Sequence, residues 1–449
     1  MVELTARHEE RIAMRRSAVS LRSCALVLLS VSLVAGPGVA TATERTDCYD
    51  ESAPLTVEER RLDDSLVPGA PAAGPELVER AGFGPLVTRF TTRLCEQPNA
   101  RAAAEFVERR GERLWETAVA RAQGRFDHGD LDSYDDRPLY WARLLLTRAV
   151  RQWRPDHELV PRQRAHLLRE LDRASRGMSS QRFPGGKATR VMISGFDPFG
   201  LDDGNLNRGN PAGVAALRLD GRTFDAPTGR ITVQTVALPV LWGAFDRGIV
   251  EHAYGSALLG RRRPDLIMTL SQGRPGRFDI ERWAGRWRGG AADNNGVHAT
   301  GPVPDAAGWP QPAAEFIETT LPHRAMLAAE SGPYPVRFNT RFCSWPDSDR
   351  PGAGDPVCHE DGEPAPDAVA ASGSGEDYLS NESMYRSNRL RLGLGGDSLA
   401  GGHLHTPVLN NPPGRLTGDR FTSDRHAIAD ETTILVRAAG RAVGHPIVS

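Results

Sequence analysis

At 449 residues the chain is long enough for two or three domains. Its 39% hydrophobic and 25% charged residues argue against a fibrous or wholly disordered chain, and Lys+Arg 55 against Asp+Glu 57, a net charge of -2, leaves no basic field of the kind a nucleic-acid binder carries. Lys187 is the only lysine, which removes lysine-based Schiff-base and P-loop chemistry from the rest of the chain, and 46 Gly with 33 Pro predict long loops and insertions.

The N-terminus reads as an export signal. Arg15, Arg16 and Arg22 precede the apolar run Cys24 to Ala35, and Ala40-Thr41-Ala42 follows as a small-residue cleavage site, so residues 1–42 are expected to be removed. The alternative is an uncleaved anchor, but the run falls short of the ~20 residues that span a bilayer. The mature chain is then expected in the cell envelope or outside the cell, without a stable membrane anchor. Four cysteines remain, Cys48, Cys95, Cys343 and Cys358, and an even number in an exported chain predicts disulfides. Three pairings are open. The favoured one joins Cys343 to Cys358 across the loop SWPDSDRPGAGDPV and Cys48 to Cys95, leaving no thiol as a nucleophile. A Cys/His zinc site is the weaker reading, because neither pair has C-x-x-C spacing.

From about Val57 to Arg176, four amphipathic segments with apolar residues at helical spacing predict a helical accessory region. Gly177 to Ala188 reads as a linker, which closes that region at residue 188. RVMISGF, RITVQTVAL and PDLIMTLS are then short β-branched or apolar runs alternating with helical stretches. This predicts an α/β domain over residues 189–449 with a largely parallel sheet and functional residues at the carboxyl ends of its strands. A polar Pro/Gly/Asp-rich stretch, about 341–375, reads as an insertion.

Four clusters in this second region carry chemistry. GFDPFG (Gly195 to Gly200) follows a strand, and packing is the default reading of its two phenylalanines. LSQGRPGRFDIERWAGRW (Leu270 to Trp287) holds Glu281, expected in the first turn of a helix. GEDYLSNESMYRS holds Ser380, for which a helix N-cap is the structural alternative. In GGHLHTPVL, His403 and His405 are expected on opposite sides of a strand, with no H-e-x-x-H-type partner for a metal. Together Ser, His and Glu supply a nucleophile, a base and an acidic orienter.

These residues resemble the pyroglutamyl peptidases (pyrrolidone-carboxylate peptidases), from about Arg190 to the C-terminus. GFDPFG is similar to the family's opening motif, NPAGVAALRL to its Asn-Pro helix, PDLIMTLSQGRPGRFDIERWA to its glutamate segment, ADNNG to its Asp-Asn turn, and TTLP (Thr319 to Pro322) to its Thr-Leu-Pro signature. The resemblance implies a three-layer α/β/α domain with a largely parallel mixed sheet, and a Cys-His-Glu triad that falls on Ser380, His405 and Glu281. It also implies a lactam pocket formed by Phe196 and Tyr378, supported by Phe199 and lined by Gln272. No cofactor and no metal are implied, and the implied partner is a peptide with an N-terminal pyroglutamate. Arg286 stands where the family has asparagine, Arg288 is a displaced substitute for its arginine, and the segment from Gln272 to Glu281 is one residue short. Serine at the nucleophile position leaves three readings: a Ser-His-Glu hydrolase suited to an oxidising compartment, a pocket that binds such peptides without turnover, or an envelope interaction module working through the helical region.

Overall fold

The computed structural model describes residues 48–444, apart from 203 and 228, and the expected signal segment lies outside them. The helical region comprises α1 (Ala73–Arg80), α2 (Gly84–Leu94), α3 (Ala100–Ala122), α4 (Arg137–Gln152) and α5 (Pro161–Ala174), preceded by a single turn at Val57–Arg60. Its segments end where the sequence punctuates them. Gly82 (φ 75°) separates α1 from α2, and the Asn99 side chain accepts from Ala102 N at 2.9 Å to start α3. A Cys48–Cys95 disulfide ties the first described residue to the end of α2. Leu77, Phe90, Leu114, Trp141 and Val150 form its core, and that core also takes in Leu201, Leu206, Leu217 and Ala237 from the following domain.

The seven-stranded sheet comprises β1 (Thr189–Phe196), β2 (Thr223–Ala226), β3 (Gly229–Leu238), β4 (Leu266–Gln272), β5 (Phe278–Glu281), β6 (Val336–Asn339) and β7 (Ala400–Thr406), in the order β6-β5-β7-β4-β1-β3-β2. β3, β1, β4 and β7 run parallel, β5 is antiparallel to β7 and parallel to β6, and β2 is an antiparallel edge. Helices cover both faces, so the parallel strands are apolar on both sides. Val191 and Ile193 of β1 face a core shared with α6 (Pro211–Leu219) and α9 (Asp419–Gly444). Met192 faces the other, shared with α7 (Ile249–Leu259) and α8 (Leu379–Gly393). This is an α/β/α domain with a mixed, largely parallel sheet, preceded by an all-helical region.

Two expectations change. The stretch 177–188 is docked: Arg182 N donates to Gln234 Oε1 at 3.0 Å, Arg262 donates to Phe183 O at 2.8 Å, and Phe183 is buried. Glu281 closes β5 instead of opening a helix, because FDIE inserts between β6 and β7 with all four residues buried. The insertion folds into a three-stranded antiparallel sheet, Phe342–Ser344, Val357–His359 and Ala370–Ser372. Cys343 lies opposite Cys358 in register and is bonded to it.

Candidate active site

β1, β4 and β7 end at a cavity of about 480 Å³ whose wall includes Phe199, Gln272, Arg274, Tyr378, Ser380 and His405. The sheet topology therefore collects four separate sequence clusters at one edge, as expected of an open α/β sheet.

His405 and Glu281 form the centre. Nδ1 of His405 lies 2.7 Å from Glu281 Oε1, and Glu281 is fully buried. The second oxygen, Oε2, accepts from Asn339 Nδ2 at 2.7 Å, and the same amide donates to Ser374 O. Burial pushes the Glu281 carboxyl up, against the pull of the His405 hydrogen bond. A carboxylate accepting the Nδ1 proton leaves the Nε2 lone pair as the basic atom of the neutral ring. Two glycines clasp that ring: a Cβ on Gly273 would lie 2.6 Å from His405 Cβ and Cγ, and one on Gly375 would lie 2.9 Å from His405 Cε1. Sequence reading missed both glycines, along with Asn339. Glycines directly after a strand and before an aromatic-Leu-Ser turn were the available signal.

His403 was expected across the strand from His405. Residues two apart on a strand share a face, and the two rings meet edge to face at 4.5 Å. His403 is bonded to Thr269 Oγ1 (2.6 Å) and Ser271 Oγ (2.8 Å) beneath the cavity floor. Burial, with His405 adjacent, pushes it well below the usual histidine range, so it is a neutral structural side chain. Among the described residues no group of three or more His, Cys, Asp or Glu is arranged to hold a metal.

Ser380 lies in the first turn of α8, and both it and the N-cap residue Tyr378 line the cavity. Its Oγ donates to Gly375 O at 3.4 Å and not to His405. Asn381 next to it anchors the helix by bridging both backbone groups of Gly285 at 2.8 Å. Arg288 turns away from the cavity, paired with both oxygens of Glu382 at 2.6 Å and with Asp246 at 2.7 Å, and Arg286 pairs with Glu315. Neither arginine is part of the cavity wall, so Arg288 does not stand in for the family's arginine there and instead holds α8 through Glu382.

Of the expected pocket residues, Phe199, Tyr378 and Gln272 line the cavity and Phe196 does not. Phe196 points inward at the end of β1 and stacks on Phe245 at 6.2 Å within the core. The aromatic pair on the wall is Phe199 and Tyr378, with ring centres 6.4 Å apart and planes tilted by 41°. The Tyr378 hydroxyl is held by Ala292 O at 2.8 Å. Gln272 Oε1 accepts from Leu409 N at 3.0 Å.

The cavity loops rest on the helical region. Asp197 of GFDPFG accepts from Arg143 of α4 (2.8 and 2.9 Å) and from Arg176 (2.6 Å). Burial would raise Asp197, but the two guanidinium groups outweigh it and hold the carboxyl below its usual range. Glu58 accepts from Tyr140 (2.9 Å) and from Asn294 (3.2 Å), which also donates to Pro198 O. Arg61 donates to Asn294 O and to Asp202. None of these arginines or Glu58 was singled out in the sequence, because their partners lie far away in the chain.

Two disulfides join the four cysteines among the described residues, as in proteins that fold under oxidising conditions. Among the described residues no helix is long and apolar enough to cross a membrane. The family described as the PA0049 N-terminal domain matches residues 40–172, and that described as the PA0049 C-terminal domain matches 190–321 and 305–410. Along its length the chain is 31% identical to the Pseudomonas aeruginosa protein named "Uncharacterized protein PA0049", with 98% of each chain covered.

Proposed function

The chain belongs to the PA0049 family, and we propose that it is an exported hydrolase that removes N-terminal pyroglutamate, or a related cyclic residue, from peptides. The observation that carries this reading is the buried His405–Glu281 pair opening onto a cavity with Ser380 at a helix N-terminus and the Phe199–Tyr378 pair on its wall. The tilted Phe199–Tyr378 pair offers a flat five-membered ring an aromatic wall to pack against. Ser380 Oγ turns from Gly375 O toward Nε2 of His405 and attacks the acyl carbonyl as the imidazole takes its proton. Glu281 orients the ring and stabilises the imidazolium. Backbone N–H groups at the start of α8 receive the developing oxyanion. His405 then passes the proton to the leaving amine as the C–N bond breaks, and water, deprotonated by the same imidazole, hydrolyses the Ser380 ester.

The 3.4 Å bond from Ser380 to Gly375 favours a second reading, in which the same pocket binds pyroglutamyl peptides without turnover. A fluorogenic pyroglutamyl amide separates the two. The hydrolytic reading expects release that falls by at least about a thousandfold in Ser380→Ala and in His405→Ala. Wild-type release no faster than that of Ser380→Ala removes the hydrolase and leaves the binding pocket.

A further inference from the structure

Four carboxylates line the cavity mouth, and three are engaged. Asp202 pairs with Arg61, Glu376 with Arg274, and Asp293 accepts from the backbone of Trp242, Asn295 and Val297. The fourth, Asp377, meets no cation and no hydrogen-bond donor from another residue among the described residues. It precedes Tyr378 directly and is half-buried. Its position is fixed from behind: Gly289 N donates to Asp377 O at 2.9 Å, and a Cβ on Gly289 would lie 2.1 Å from Asp377 Cγ. Glycine at 289 therefore makes room for this carboxyl, which packs against the Gly289 backbone while Asp377 forms part of the cavity wall.

We propose, on the pyroglutamyl reading above, that Asp377 is the residue that reads the lactam. Its carboxyl accepts a hydrogen bond from the lactam N–H and, when protonated, donates one to the lactam carbonyl. A lactam is a cis amide, so its N–H and C=O lie side by side on one edge and match the two oxygens of a single carboxyl. Burial and the neighbouring Glu376 push Asp377 up, toward the neutral form that can serve both groups. The same shift disfavours an ammonium ligand, which needs a full carboxylate charge to replace its lost hydration.

The test uses full-length protein carrying Ser380→Ala, so that binding is read without turnover. Calorimetry compares a pyroglutamyl dipeptide amide, its N-methyl-lactam analogue and the prolyl peptide with a free amine. The parent is expected to prefer the lactam over its N-methyl analogue by roughly ten- to a hundredfold, the span of a hydrogen bond to a polar or charged partner. Adding Asp377→Asn, whose amide also accepts and donates, keeps that preference. Adding Asp377→Leu removes it, and Asp377→Ala makes the same prediction should the larger side chain not fold. An undiminished lactam preference in the Leu or Ala variant overturns the role of Asp377 and leaves the pyroglutamyl reading standing. No lactam binding by the parent overturns both, and tighter binding of the free-amine peptide reassigns Asp377 to an ammonium.

Discussion

Glu58 offers a quantitative test of how the helical region supports the cavity. Its carboxyl is buried between Tyr140 of α4 and Asn294 of the ADNNG turn. Burial, with Asp197 adding to it, raises it from 4.5 to about 7. Because the folded value lies above the unfolded one, the associated stability is complete below pH 4.5 and is lost as pH rises through 7. Integrating between pH 5 and pH 8 gives a loss of about 2.5 kcal/mol from this one group, at 1.36 kcal/mol per pKa unit. Glu58→Gln keeps an acceptor for Tyr140 and Asn294 but cannot ionise. Urea unfolding of wild type and Glu58→Gln at pH 5 and pH 8 isolates the effect, because all other titrating groups are common to both proteins. Wild type is expected to lose about 2.5 kcal/mol more than the variant between the two pH values. Parallel pH slopes would refute the buried, protonated Glu58 and with it the close seal between α4 and the turn.

Three further outcomes follow from the packing. Gly273→Ala places a methyl 2.6 Å from His405, so hydrolysis of a pyroglutamyl amide is expected to fall by roughly a hundredfold while the protein stays folded, as read by steady-state rates beside circular dichroism. Replacing Cys343 and Cys358 by serine opens the bridge across the insertion and is expected to cost about 3 kcal/mol, measured as the shift in denaturation midpoint against wild type. Residues 189–449 expressed alone lose the arginines that pair with Asp197, the Trp115 donor to Asp220 and the helical side of the core around Leu201, Leu206 and Leu217. The fragment is expected to be insoluble or molten by near-UV circular dichroism, and a cooperative thermal transition in it would show that the helical region is dispensable.

Much of the layout was readable in the sequence because it is local. The apolar run VMIS and its counterparts in β3 and β4 mark strands buried on both faces, and Asn210-Pro211 marks the start of α6 through a side-chain cap and a proline at its first position. The cysteine pairing was also legible, since Cys343 and Cys358 bracket a turn-rich loop. The departures are tertiary. Glu281 lies in FDIERW, which reads as readily as a helix start, and only its place between β6 and β7 makes it a strand. Phe196 and Phe199 share one turn, and which of them faces the cavity depends on Phe245 of a distant helix receiving the first. The mistaken side for His403 came from applying strand alternation to residues two apart, which it places together.

The helical region is the largest element that the sequence reading left without a role in the site, and its contacts argue that it belongs to it. Asp197 is buried at the end of β1, where an unpaired carboxylate would be costly. The two groups that neutralise it, Arg143 and Arg176, both come from the helical side of the boundary. Asn294 in turn joins the loop carrying Phe199, through Pro198 O, to Glu58 and Arg61. The loop bearing Phe199 and the turn bearing Asp293 are thus each fastened to the same helical layer, and both line the cavity. Arg143 and Arg176 of the helical side thus pair with the loop that carries Phe199, and with the shared core around Leu201, Leu206 and Leu217 they pack the helical region and the α/β domain as one structural unit.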